Sequence, residues 1–252
     1  MPRREAVHTP GLPSAHLAFT DATVGDLRIS EPGAPDPVSL SELRQRVAPH
    51  PWTWLRQVHG NRVVEVDAPG EFVGTDADAA VTTELGVVLA VHTADCAPVL
   101  LVGDGADPVS GDPVRVIGAA HAGWKGLRDG VIDSTVALMR RLGATEFAWD
   151  LGPCISPAAY EFDDAELDGL CAELGPELRA STLDGTPALD LRAGVRAALV
   201  RNGVDVSSGG PKAVPCTALD TGFYSWRARR DTGRQAAVIW LAPDDHDYPW
   251  HP

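Results

Sequence analysis

Three side chains in this chain have the chemistry of a metal site: His59 in RQVHGNRVVEVD, Cys96 in HTADCAPV and His121 in AAHAGWKG. Two imidazoles and a thiolate suit Zn²⁺, and three protein ligands leave a fourth position for water or substrate. Each sits beside an apolar, β-branched run. Cys96 lies between Val87–Val91 and Val99–Val102, His121 closes Val114–Ala120, and His59 precedes Arg62–Val66. Strands deliver their ends to one edge of a sheet, where residues distant in sequence can share an ion. The separations are long and no H-E-x-x-H signature is present, so on spacing alone buried structural residues are the commoner explanation.

Other residues carry weaker signals. Asp95, beside Cys96, is a candidate proton carrier or ligand-orienting carboxylate, with a plain turn aspartate as the alternative. His92 fits a core or supporting histidine as well as a ligand. Gly123-Trp124-Lys125-Gly126 opens a helical pattern, and its N–H groups and Lys125 could hold a phosphate, although ordinary helix-start chemistry explains the same residues. Arg56 and the late cluster Arg227, Arg229, Arg230 and Arg234 could define a local phosphate site, a solvated charge run being the commoner case. Cys154, Cys171 and Cys216 read as small buried hydrophobes.

The elements that would position these residues follow from periodicity and punctuation. Residues 1–15 and 243–252 read as frayed ends of a single domain spanning 1–252, and Glu31–Pro37 as a Pro/Gly-rich loop. His16–Thr20 reads as a strand, and Ser39 or Ser41 as the cap of a short helix through Val47. Trp52–Val58 and Arg62–Val66 read as strands around the turn His59-Gly60-Asn61, followed by the polar loop at 74–78 and a strand at Ala79–Thr82. Gly103–Pro113 reads as an extended hairpin loop. Leu127, Val131, Thr135, Leu138 and Leu142 form one helical face stopped by Gly143. Phe147–Leu151 is a short strand, Asp163–Leu174 a helix, and Asp190 caps another that Gly203 ends. Gln235–Leu241 is the last strand, and Ser207–Pro211 is a turn-like stretch. Irregular alternation of these elements predicts an α/β (α+β) mixed-sheet layered sandwich rather than a doubly wound fold.

Composition narrows the function classes. With 44% hydrophobic and 22% charged residues, the 252-residue chain has the make-up of a soluble globular protein. A net charge of −14 argues against nucleic acid or an anionic membrane as partner unless a basic cleft is present. No apolar run reaches bilayer length and no apolar signal core follows the basic N-terminus, so a cytoplasmic protein is expected. Four cysteines without a C-x-x-C pair fit reduced thiols better than a disulfide framework.

QVHG at 57–60, TDAD at 75–78, TADCAPV at 93–99, AAHAGWKG at 119–126, LGPCI at 151–155 and TGFYSWR at 221–227 occur in this order. Together they resemble the laccase-domain (YfiH-type) family, whose members are described as polyphenol oxidases and as purine nucleoside phosphorylases with adenosine deaminase activity. The resemblance covers roughly residues 52–241. It implies a fold similar to cysteine hydrolases of the deamidating-toxin (CNF) type, and it makes His59, Cys96 and His121 a zinc-binding triad. It also implies purine nucleosides and phosphate as small-molecule partners: phosphorolysis of adenosine, inosine, guanosine and methylthioadenosine, and deamination of adenosine. One departure is the segment Phe19–Gly25, which lacks the arginine and one glycine of the family's usual F-T-x-R-x-G-G opening; the region up to Pro51 is also abbreviated.

Physical arguments rank the alternatives. A four-copper laccase needs many imidazoles, and this chain has 8 histidines with no H-x-H pair. A single Cu²⁺ on the same ligands could still oxidise phenols. Zinc would acidify water for attack at purine C6, as in nucleoside deaminases, although the H-x-E glutamate is replaced here by Ala122-Gly123 and Asp95 is the substitute proton carrier. Phosphorolysis needs a phosphate pocket, for which Arg56, Lys125 and Arg227 are the candidates. The competing readings are a metal-free cysteine hydrolase acting on an amide, as in cell-wall precursor editing, with Cys96 as nucleophile and His121 as base, and a non-enzymatic metal-binding protein.

Overall fold

The computed structural model describes residues 3–28, 37–207, 210–211 and 213–243. Most of the Glu31–Pro37 loop, Ser208 and Gly209 of the turn-like stretch, and the tail with His246 and His251 lie outside the described residues.

Two five-stranded mixed sheets stack face to face. The first contains β1 (Arg3–Val7), β2 (Ser14–Phe19), β3 (Trp52–Trp54), β6 (Val88–Thr93) and β12 (Gln235–Ala242), in the order β1-β2-β12-β6-β3. The second contains β4 (Val63–Glu65), β5 (Ala79–Thr82), β7 (Ala97–Ala106), β8 (Pro113–Ala122) and β9 (Ala144–Leu151), in the order β4-β5-β8-β7-β9. Period-2 alternation builds the layers. Leu89 and Val91 of β6 meet Leu100, Ile117 and Ala119 of the second sheet in the central core. Val88 and Ala90 face the other way, onto Leu40 and Val47 of α1 (Pro37–Val47). Val116 and Ala120 of β8 face α3 (Val131–Arg141) and α5 (Leu191–Arg201). The result is the mixed-sheet sandwich that the strand and helix patterns predicted, with helices on both outer faces.

Local chemistry explains the element ends. Asp190 Oδ1 accepts the N–H groups of Arg192 and Ala193 at 3.0 Å, capping α5, and Asp163 caps α4 (Asp164–Leu174) by accepting from Glu166 N. The helical face read from Leu127 to Leu142 is interrupted. Gly130 adopts φ 87° and separates α2 (Trp124–Arg128) from α3, because a left-handed residue ends a helix.

Three expectations are corrected. Residues 3–7, expected to fray, are paired with β2. The fully buried Arg115 explains this: its guanidinium donates to the carbonyls of Val7 and Pro13 at 2.8 Å and pairs with Asp104. The same pair keeps β7 and β8 registered from Ala97↔Ala122 to Ala106↔Pro113, so the expected loop at 103–113 shrinks to residues 107–112. Finally, β3 and β4 do not form a hairpin around His59-Gly60-Asn61. They belong to different sheets, and the strand read as Trp52–Val58 stops at Trp54.

Candidate metal centre

That last correction builds the site. The chain crosses between the two sheets twice at the same end of the sandwich, from β3 to β4 and from β6 to β7. His59 rides on the first crossing and Cys96 on the second, while His121 stands near the end of β8. One ligand atom from each lies within 4.8 Å of the others, the one such group of His, Cys, Asp or Glu ligands among the described residues. Cys96 Sγ is 3.8 Å from His59 Nε2. Tetrahedral zinc with ordinary Zn–S and Zn–N bonds separates S from N by about 3.6 Å, so the spacing fits one ion. His121 is buried, Cys96 half-buried and His59 exposed, which leaves one side open to solvent.

Asp78, the last residue of TDAD, holds His59 and His121 in place. Its fully buried carboxylate accepts from His121 Nδ1 at 2.8 Å, from the N–H groups of His59 and Gly60 at 2.9 and 2.8 Å, and from Val58 N at 3.2 Å. One side chain therefore leaves His121 Nε2 facing Cys96, where it would meet an ion, and fixes the left-handed backbone of His59 (φ 61°). Burial alone would raise the Asp78 carboxyl, but His121 and the N–H donors hold it below the ordinary value. The sequence offered TDAD as a pattern without saying which acid does this, because the role depends on a loop that returns to it in space.

The ligands are electrostatically matched. Burial disfavours the Cys96 thiolate, yet the charge and hydrogen bond of His121, then those of His59, lower its pKa from 9.0 to about 6. Burial likewise disfavours a charged His121, and Cys96 and Asp78 overcome it, raising the imidazole to about 9. A depressed thiol pKa keeps thiolate present above about pH 6. In chelated protein the alkylation rate of Cys96, followed by site-resolved mass spectrometry, should accordingly have a midpoint near pH 6; a midpoint near 9 contradicts this electrostatic account.

Glycine at 123 gives the ligands room. A Cβ there would lie 2.8 Å from His59 Cδ2 and 3.1 Å from Cys96 Sγ. Gly123→Ala should displace both ligands and weaken zinc binding about tenfold in a chelator competition, a change comparable to losing a supporting contact.

Asp95 sits differently from the expected proton carrier. Its backbone takes φ 103°, and its buried carboxylate accepts from Thr217 Oγ1 and Ser225 Oγ at 2.7 Å and from Arg227 N at 2.6 Å. Both oxygens are engaged, so the residue anchors the Cys96 loop to two distant segments. Arg56 is exposed and paired with Asp76, its Nη2 donating at 2.6 Å. Lys125 lies over Trp124 at 5.4 Å, and Arg227 over Tyr160 at 4.7 Å while donating to Glu161 O. Asp95, Arg56, Lys125 and Arg227 line one cleft of about 830 Å³ with His59, Cys96 and His121. Its aromatic walls are Trp54, Trp124, Tyr160 and Trp226. Five cationic side chains, Arg28, Arg56, Lys125, Arg227 and Arg234, face into it against one carboxylate, Asp95. Arg28 and Tyr160 carried no signal in the sequence pattern, and Trp124 and Trp226 stood in quoted motifs without an assigned role. No helix among the described residues is long and apolar enough to cross a membrane.

Known proteins resemble this chain in sequence and fold. Residues 38–242 match the family described as multi-copper polyphenol oxidoreductase laccase. Purine nucleoside phosphorylase ORF3 of Streptomyces griseus is 39% identical over 248 residues, covering 90% of this chain and 95% of that protein. Purine nucleoside phosphorylase SCO2081 of Streptomyces coelicolor is 40% identical over 243 residues, covering 90% and 96%. The crystal structure of Neisseria meningitidis protein NMB0706, of the DUF152 family, superposes with a TM-score of 0.72 at 29% identity, covering 94% of this chain and 98% of that one. YlmD from Geobacillus stearothermophilus gives 0.71 at 28% identity, covering 92% and 94%. The match over residues 38–242 and the relatives at 39–40% identity make the assignment: the chain belongs to the laccase-like polyphenol oxidoreductase family of YfiH-type proteins.

Proposed function

We propose that this protein is a zinc-dependent purine nucleoside phosphorylase that also deaminates adenosine. The observation that carries the reading is a one-ion His/Cys/His site at the wall of an aromatic, cationic cleft in a chain about 40% identical to proteins named purine nucleoside phosphorylase. His59, Cys96 and His121 would hold zinc, which when bound supplies Lewis acidity and acidifies water near neutral pH. Trp124 and Tyr160 offer flat apolar surfaces for a purine. Lys125 and Arg227 have no carboxylate partner among the described residues and would pair a phosphate dianion, whereas the charge of Arg56 is already offset by Asp76. In phosphorolysis a phosphate oxygen bonds C1′ as the C1′–N9 bond breaks, so the cations must bring phosphate to the ribose face opposite the base. Asp95 holds the Cys96 loop in this scheme and leaves proton transfer to other groups.

Adenosine should be incubated with the protein, with and without phosphate, and the products separated. Adenine appearing only with phosphate supports phosphorolysis, and inosine supports deamination. Neither product, from protein carrying one zinc per chain, overturns the proposal.

One second reading has an observation in its favour. The thiolate–imidazolium pair Cys96–His121, backed by Asp78, also has the layout of a cysteine hydrolase acting on an amide. Metal analysis separates the two, because stoichiometric zinc on Cys96 leaves no free thiolate to act as a nucleophile.

A further inference from the structure

Behind the Asp95 anchor two cysteines lie side by side. Cys154, just past β9, and Cys216 are partners in a parallel bridge: Cys154 N donates to Pro215 O and Thr217 N to Cys154 O, both at 3.3 Å. Residues paired in this way carry their side chains on one face, with backbones about 4.8 Å apart. That separation lies within the Cα range that a disulfide spans. Arg192 of α5 staples the same two segments. Its Nη2 donates to Cys154 O at 2.8 Å and to Pro215 O at 2.9 Å, and its Nη1 to Val214 O at 2.9 Å.

The two thiols differ in their readiness to react. Cys216 is half-buried, and its sulfur accepts the N–H of Ser156 at 3.2 Å. Burial opposes its thiolate, but hydrogen bonds from Ser156, then from the backbone of Leu219 and Ala218, lower the thiol below its ordinary 9.0. Cys154 is fully buried, and burial pushes its thiol up to about 12 despite the nearby Arg192. A reachable sulfur held by backbone donors, beside a shielded and protonated one, is the layout of an attacking thiol and its resolving partner. Their chain neighbours both touch the metal-site loop. Ile155 N donates to Asp95 O at 2.9 Å, and Thr217 Oγ1 to Asp95 Oδ1 at 2.7 Å. Each cysteine is therefore one residue away from a hydrogen bond to the residue that precedes Cys96.

We propose that Cys154 and Cys216 form a peroxide-oxidisable pair whose disulfide loosens the metal centre. The O–O bond of peroxide breaks as one oxygen bonds the Cys216 sulfur, giving a sulfenic acid and water. The Cys154 sulfur then bonds the Cys216 sulfur, and the hydroxyl leaves with the Cys154 proton as a second water. Two thiols lose two electrons and two protons, and one peroxide becomes two waters. The closed bond holds the Cβ atoms about 3.8 Å apart, closer than the strand spacing. Both segments must shift, and the hydrogen bonds of Ile155 and Thr217 to Asp95 stretch. The effect on zinc rests on the zinc-site reading; the disulfide itself does not.

The test treats zinc-loaded protein with stoichiometric hydrogen peroxide, digests it without reductant and maps the peptides by mass spectrometry. A peptide linking Cys154 to Cys216, released by a dithiol reductant, is expected. In Cys154→Ala the reaction should stop at the sulfenic acid, so dimedone should label Cys216 about tenfold faster than the half-buried Cys171. Zinc affinity, read by chelator competition, should fall about tenfold on oxidation and recover on reduction, whereas peroxide should leave it unchanged in Cys216→Ser. Absence of the linked peptide, or dimedone labelling of Cys171 as fast as Cys216, overturns the pair. An equal fall in zinc affinity in Cys216→Ser traces the loss to Cys96 and overturns the coupling, as does a linked protein that binds zinc like the reduced one. A linked peptide in protein that never binds zinc keeps the pair and removes the zinc-site reading, and the coupling with it.

Discussion

Asp78→Ala should strip the metal and loosen the fold at once. The substitution leaves four donors without their acceptor: His121 Nδ1 and the N–H groups of Val58, His59 and Gly60. Loss of a buried charge partner of this kind costs about 3–5 kcal/mol, measurable by denaturant unfolding of the metal-free protein. Zinc affinity should fall further than the roughly 10- to 100-fold typical of a supporting carboxylate, because His59 loses its backbone restraint along with the orientation of His121. Asp78→Asn separates the two effects. It keeps the shape and one acceptor oxygen, so its unfolding free energy should recover more fully than its metal affinity. If Asp78→Ala bound zinc as the wild type does, the account of how the ligands are oriented would be wrong.

Asp95→Ala is the second large effect and falls on a different link. The carboxylate ties the Cys96 loop to Thr217, Ser225 and Arg227, and its own backbone sits at φ 103°. Three donors lose a charged acceptor, and alanine must still adopt a conformation that favours glycine. Destabilisation of about 3–5 kcal/mol is expected, together with weaker zinc binding as Cys96 drifts. Asp95→Asn discriminates between anchor and proton carrier. An anchor predicts that kcat and stability fall together and that the pH profile keeps its shape. A proton carrier predicts near-normal stability with kcat collapsed and one limb of the pH profile missing.

The family name and the donor set pull in different directions on oxidation. The His/Cys/His group is the one such cluster among the described residues, enough for a single ion and not for a trinuclear copper centre. Copper loaded onto these ligands is therefore expected to displace zinc without producing a multicopper oxidase.

Much of this protein was legible along the chain. Apolar, β-branched runs at Val87–Val91, Val99–Val102 and Val114–Ala120 marked the core strands, Asp163 and Asp190 announced their helices, and the ordered motifs pointed to the family and to the three residues that converge. These signals are local, or recur as fixed words, so they survive in one dimension. What the tertiary structure alone decided is how distant segments meet. The N-terminal strand is held by Arg115, a residue more than a hundred positions away, and no periodicity reports such a tie. His59 and Cys96 approach each other because two loops cross between sheets at one end, and strand patterns do not say which sheet a strand joins. Asp78 and Asp95 look alike in sequence as turn aspartates. Only burial and returning donors make one the support of His59 and His121 and the other the anchor of the Cys96 loop. Hydrogen-bond satisfaction is a three-dimensional constraint, and it assigns roles that residue type and spacing leave open.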